Sequence, residues 1–204
     1  MDARNIPQPM RPHGLQGRLF GFLMERLSAT NYRWVVAQLK PRKPKRYLEI
    51  GFGTGKLAQM VARKLRPQRI AGVDPAPLMV ATARKKLGWM ARKIAIALEQ
   101  GDDTHLATLE GPFDAIVATH CFQFWADPAA TLARIHALLA PDGILVLVLR
   151  QHITARVAPF IPNPITRSGD ELAGIGTALR LAGFRIVADE RFKTNSQGLA
   201  AVKA

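Results

Sequence analysis

The chain has 204 residues, 48% of them apolar, a single cysteine and a formal net charge of +14. That length and apolar share suit one domain with one buried core and exclude a disordered chain. The lone Cys121 excludes an internal disulfide and a multi-cysteine zinc site, and the longest apolar run, 143–149, is far too short to span a bilayer.

In chain order, residues 1–14 read as a loose polar tail without the apolar core of a signal peptide, so the expected location is the cytoplasm. Residues 15–27 place Leu15, Leu19, Phe22, Leu23 and Leu27 at the spacing of an amphipathic helix. Asn31 is positioned to cap a second helix over 32–39, which Pro41 and Pro44 end. These helices form a short cap, 15–40, on a single domain spanning 15–204. Strands are then predicted over 46–50, 69–73, 94–100, 113–119 and 143–149, with helices over 56–64, 77–87 and 128–139 between them. Ser168 and Glu171 make a capping box before a helix running to Ala182. Two last strands, 185–192 and 198–203, flank a turn. Alternating strands and helices imply βαβ units. A short turn cannot make a parallel crossover, so the last pair is antiparallel. The fold class is therefore α/β, a Rossmann-like doubly wound sheet of seven strands, mostly parallel, with a C-terminal antiparallel hairpin.

The strongest local signal is the run from Tyr47 through Glu49 to Gly51, Gly53 and Gly55, an apolar strand ending in a glycine-rich turn that opens a helix. Glycine permits both the tight turn and the close approach of a ligand. Asp74 follows the second strand, where a carboxylate can accept both hydroxyls of a ribose, and Asp102 follows the third, where it can accept from an adenine amino group. Each aspartate taken alone is also an ordinary turn or cap residue. Three such features in order, each at a strand's C-terminal end, mark the edge where open α/β sheets bind ligands.

With these motifs the chain resembles the class I S-adenosylmethionine-dependent methyltransferases, in particular the small bacterial UbiE-like ones. The resemblance rests on 48–55, 72–86, 100–103, 113–128 and 138–148. It implies S-adenosylmethionine as cofactor and S-adenosylhomocysteine as product. It places Glu49, Gly51, Gly53 and Gly55 around the methionine part, Asp74 with Pro75 at the ribose, and Asp102 with Asp103 at the adenine. Ala118 and Thr119 border the methionine end, and the stretch from His120 through Gln123 to Phe124 faces the methyl group. Asp103 stands where a small residue is common, and His120 where the family often has a small or apolar one, so His120 inherits no role. A nicotinamide fingerprint needs glycine at position 56, which is Lys56.

Methyl transfer needs alignment and exclusion of water, and a base only where the acceptor must lose a proton. By position His120 is the candidate base, with a mere pocket-lining histidine as the alternative, and His152 after the fifth strand is a second pocket candidate. No proline precedes Cys121, as the covalent 5-methylcytosine route would require, so it reads as a small core residue. Trp125 is expected to pack and Phe124 to reach the pocket. No metal is expected. The acceptor is expected to be a small molecule, since no recognition domain is appended. Residues 1–48 hold ten Lys or Arg against two Asp or Glu, so an RNA or ribosomal acceptor and a lipid acceptor at an anionic membrane remain alternatives.

Overall fold

The computed structural model describes residues 25–150, 169–193 and 195–204. The predicted tail 1–14, most of the helix 15–27, the proline-rich stretch 151–167, Ser168 of the capping box and the pocket candidate His152 lie outside the described residues.

The elements, in order, are α1 (Ala29–Leu39), β1 (Arg46–Ile50), α2 (Lys56–Lys64), β2 (Arg69–Asp74), α3 (Pro77–Leu87), β3 (Ala95–Gln100), β4 (Phe113–Thr119), α4 (Pro128–Leu138) and β5 (Leu139–Arg150). They are followed by α5 (Gly169–Ala173), α6 (Ile175–Leu181), β6 (Phe184–Phe192) and β7 (Ser196–Lys203). Local chemistry accounts for the boundaries. In α2, Leu57, Ala58, Val61 and Ala62 recur at helical spacing and are all buried. In α4, Pro128 takes the first helical position and the Asp127 carboxylate accepts from the Ala130 N–H at 3.0 Å, closing the N-terminus.

One sheet of order β3-β2-β1-β4-β5-β7-β6 carries the fold. β1 to β5 pair in parallel, and β7 pairs antiparallel with both β5 and β6, as the short closing turn requires. The central strands read as continuous apolar runs because helices cover both faces. Val35, Leu39, Leu57, Val61, Ala83 and Leu87 from α1, α2 and α3 pack on one face. Leu132, Ile135, Ile175 and Leu179 from α4 and α6 pack on the other.

Two expectations are corrected. Asn31 does not cap a helix over 32–39. The helix starts three residues earlier, at Ala29, and Asn31 lies inside it at 1% exposure, pointing at the sheet. The helix predicted after Ser168 and running to Ala182 is, in the described residues, two shorter helices separated at Gly174, a residue type that costs backbone entropy in a helix interior.

β2 and β3 lie on one side of β1, and β4 and β5 on the other. The chain therefore reverses its direction of progress between β1 and β4, which opens a crevice at the C-terminal ends of these strands.

Candidate active site

The cleft in that crevice is lined by the glycine turn, by the ends of β2 and β4, and by the N-terminal helical segment. Among the residues singled out from sequence, Gly51, Gly53, Asp74, Pro75, Asp102, Asp103, Thr119, His120 and Phe124 line it together. Glu49, Gly55, Ala118 and Gln123 do not. Gly55 is buried against α3, and Gln123 donates from Nε2 to the His120 carbonyl at 2.8 Å.

The turn is left-handed at Gly51, Gly53 and Gly55, with φ of 70°, 53° and 74°. At Gly51 an added Cβ would sit 2.8 Å from the Cys121 Cβ, so close packing as well as φ demands glycine. At Gly53 an added Cβ would meet nothing within 4 Å, which leaves that backbone open to a ligand.

Asp74 holds the turn in place. Its Oδ2 accepts the Gly53 N–H at 2.7 Å and its Oδ1 accepts the Ala76 N–H at 3.0 Å. Burial raises its pKa to about 6, against the pull of these two bonds. Asp102 accepts from the Thr104 N–H at 3.0 Å and the Thr104 hydroxyl at 2.6 Å, and Asp103 accepts from the Thr131 hydroxyl of α4 at 2.6 Å.

Glu49 shares a strand face with Tyr47, whose hydroxyl donates to Glu49 Oε2 at 2.9 Å. Burial raises the Glu49 pKa to about 8; the Tyr47 bond opposes this, and the Asp74 charge adds to it. In the unfolded chain the carboxyl ionises near 4.5. Between those values the folded state keeps a proton that the unfolded state has released, so this contribution is whole below 4.5 and is lost as pH rises through about 8. Asp74 acts in the same direction between 3.8 and about 6. The thermal midpoint is therefore expected to be higher at about pH 6 than at about pH 9, with a slope of up to about 1.4 kcal/mol per pH unit from Glu49. Glu49→Gln should flatten that slope, and a variant that titrates like the parent rejects this account.

Cys121 donates from Sγ to the Ile50 carbonyl at 3.2 Å, and burial pushes its thiol well above the ordinary range, which disfavours the nucleophilic thiolate. Trp125 is buried and packs edge-to-face on Phe122, with ring centroids 5.1 Å apart, yet it also reaches the cleft. His105 meets Glu99 at 2.9 Å, and His136 packs on the Phe184 ring at 5.1 Å. His120 departs from the expectation of a base working near neutrality. Burial, with the Arg150 charge adding to it, pushes the imidazole down to about 4, so it is a poor proton acceptor.

Sequence reasoning missed Glu25, Ser28 and Tyr32, which line the cleft from the N-terminal side. The Glu25 carboxylate accepts from the Thr54 hydroxyl and pairs with Lys86, tying this segment to the glycine turn and α3. Their spacing of three and four residues on one helical face was the available signal. Among the described residues no group of three or more His, Cys, Asp or Glu is placed to hold a metal, and no helix is long and apolar enough to cross a membrane.

Residues 48–147 match the family described as "Methyltransferase domain". The chain is 35% identical over 107 residues to a demethylmenaquinone methyltransferase of Thermus thermophilus, covering 52% of this chain and 48% of that one. It is 27% identical over 142 residues to a trans-aconitate 2-methyltransferase of Methylobacterium radiotolerans, covering 70% and 52%. The chain thus spans about half the length of these curated relatives. Among solved structures it is similar to the S-adenosylhomocysteine-bound magnesium protoporphyrin IX methyltransferase of Synechocystis PCC 6803. The TM-score is 0.67 at 19% identity, covering 94% of this chain and 89% of that one. It is also similar to the cyclase SpnF, with a TM-score of 0.63 at 20% identity, covering 78% and 75%. These TM-scores show a shared fold, and the second neighbour shows that the fold alone does not fix the reaction. Residues 48–147 thus match a methyltransferase domain, and the strand order and the glycine turn with its three aspartates agree with the class I S-adenosylmethionine-dependent fold.

Proposed function

We propose that the protein binds S-adenosylmethionine in the cleft and transfers its methyl group to a small-molecule acceptor. The observation that carries this reading is the polarity of the cleft. Asp74, Asp102 and Asp103 gather at the ends of β2 and β3 around a turn whose backbone at Gly53 is open, in a chain that is otherwise strongly basic. That set of acceptors fits a cationic ligand with ribose hydroxyls and an amino group to donate. Gly51, Gly53 and Thr119 would flank its methionine end, Asp74 with Pro75 its ribose, and Asp102 and Asp103 its adenine.

When bound, the cofactor supplies an already activated methyl group on a sulfonium. The chain's own residues then have to bind, orient and exclude water. Phe124, Trp125 and Tyr32 put aromatic surface around the cleft, which suits both the exclusion of water and attraction to a sulfonium.

The basic cluster of Lys40, Arg42, Lys43, Lys45 and Arg46 leads into β1, which Arg46 opens, and Arg66 and Lys93 precede β2 and β3. These cations therefore stand at the N-terminal edge of the sheet, whereas the cleft is at the C-terminal edge. β1 has five residues, which separates the two edges by about 17 Å. This separation supports a small acceptor over a polyanion drawn into the site by those cations.

Calorimetric titration with S-adenosylhomocysteine tests the reading, with NAD as control. Saturable binding of the first and none of the second is expected. A folded protein that binds neither removes the basis for methyl transfer.

A further inference from the structure

At the reactive edge, on the face covered by α1, polar groups from four elements meet. Asn31 comes from the buried side of α1, and its Nδ2 donates to His120 Nε2 at 3.0 Å and to Ser196 Oγ at 3.1 Å. Ser196 opens β7 and is 1% exposed. His120 follows β4 in the left-handed region, at φ 55°, which a residue with a side chain adopts rarely. Its N–H donates to the Val148 carbonyl at 2.8 Å, and its own carbonyl accepts from Gln123. Backbone and ring are thus both fixed.

The hydrogen bond from Asn31 decides the tautomer. Nε2 accepts, so the one proton of the neutral ring lies on Nδ1. That Nδ1 is buried and has no partner among the described residues, although His120 lines the cleft. A buried donor without a partner is costly, and each such group in a native protein calls for an explanation, a functional role among them.

Arg150 stands beside it. Along β5, Val146 and Val148 pack on the α1 face and Leu147 and Leu149 on the other, so alternation puts Arg150 on the α1 face with Val148. It pairs in register with Ser196, its charge bears on the His120 ring, and it makes no ion pair with a described residue. The cleft is therefore acidic toward β2 and β3, whereas toward β4 and β5 it is bounded by the His120 ring, with the Arg150 cation behind that ring rather than in the lining.

We propose that the Nδ1–H of His120 and the guanidinium of Arg150 together hold a carboxylate of the methyl acceptor, with Asn31 and Ser196 as positioning residues that fix the ring. This rests on the methyl-transfer reading and adds the acceptor's chemical class. A donor at Nδ1 cannot take a proton from a neutral hydroxyl or ammonium. A carboxylate is already ionised at neutral pH. Its oxygen forms the bond to the methyl carbon, the carbon–sulfur bond breaks with its electron pair passing to sulfur, and no proton moves. The charges of sulfonium and carboxylate cancel, and the chain needs no general base.

Two measurements test this on the protein saturated with S-adenosylhomocysteine. In the first, acetate, succinate and benzoate are titrated alongside acetamide, succinamide and benzamide. The acids are expected to bind at least about tenfold tighter than their amides, and Arg150→Gln to abolish that preference in a protein that still binds S-adenosylhomocysteine. In the second, long-range proton–nitrogen correlation on histidine-labelled protein reads the ring directly. His120 is expected neutral at pH 7 with its proton on Nδ1, and Asn31→Ala to redistribute the proton between the nitrogens. Acids that bind no better than amides or not at all, a preference that survives Arg150→Gln, a proton on Nε2, or a charged ring would each overturn the proposal. Failure of S-adenosylhomocysteine itself to bind is a separate result, which removes the methyl-transfer reading instead.

Discussion

Asp74→Ala is expected to abolish measurable S-adenosylhomocysteine binding in a protein that remains folded. The carboxylate acts twice. Its two bonds to the Gly53 and Ala76 amides, at 2.7 and 3.0 Å, fasten the glycine turn to the end of β2 and to the start of α3. An ionised carboxylate accepts about four hydrogen bonds, so roughly half its capacity remains for the ribose hydroxyls of a ligand in the cleft. A hydrogen bond to a charged group contributes about 1.5–3 kcal/mol, so losing two such bonds weakens affinity by more than about a hundredfold. Asp74→Asn keeps an acceptor oxygen and loses the charge, so its loss should be smaller. Burial holds the group's pKa near 6, so affinity in the parent should also fall as pH drops through that value. Calorimetry of the three proteins, with circular dichroism to confirm folding, checks this. An alanine variant that binds like the parent would remove Asp74 from the cofactor site.

Gly55→Ala is expected to lower the thermal midpoint by about 10 °C. Gly55 precedes α2 with φ 74°, and a Cβ there would sit 2.8 Å from the Ala83 Cβ and 3.2 Å from the Ala83 Cα of α3. The left-handed conformation costs about 1–2 kcal/mol for a residue with a side chain. Forcing a methyl group into buried helix contacts adds about 1–3 kcal/mol, because the facing atoms include backbone that cannot turn aside. Gly53→Ala separates the two costs. Its φ is 53°, but its Cβ would meet nothing within 4 Å, so it pays the conformational cost alone. It should lose less stability and more ligand affinity, because the new methyl projects where the backbone is open. Thermal denaturation beside ligand titration distinguishes the variants. A Gly55→Ala protein as stable as the parent would reject close packing as the reason for glycine there.

Much of this was legible in the sequence because local periodicity carries it. The predicted bounds of 46–50, 56–64, 77–87 and 113–119 match the observed elements residue for residue. In those segments the apolar pattern, the prolines and the glycines all favour the same conformation. The reach of β5 was underestimated. It begins at Leu139, through a register shift opposite Phe113 and Ala115, where Pro141 and Gly143 read as a turn. Irregular pairing of this kind depends on the partner strand, which the segment's own pattern does not encode.

The stretches 46–150 and 184–203 by themselves determined the alternation of strands and helices, the antiparallel close and the gathering of glycines and aspartates at one edge. Each follows from backbone geometry acting over a few residues. Only the tertiary structure decided which polar side chains meet. Asn31 reads locally as a helix cap, yet it bonds residues 89 and 165 positions away. His120 reads as a base of ordinary strength until burial and Arg150 depress it. Glu49 reads as part of the pocket, whereas in the fold it is buried, takes the Tyr47 hydroxyl and is not among the cleft-lining residues. A side chain's partners and its proton affinity depend on what the fold packs against it, and that is a property of distant segments brought together.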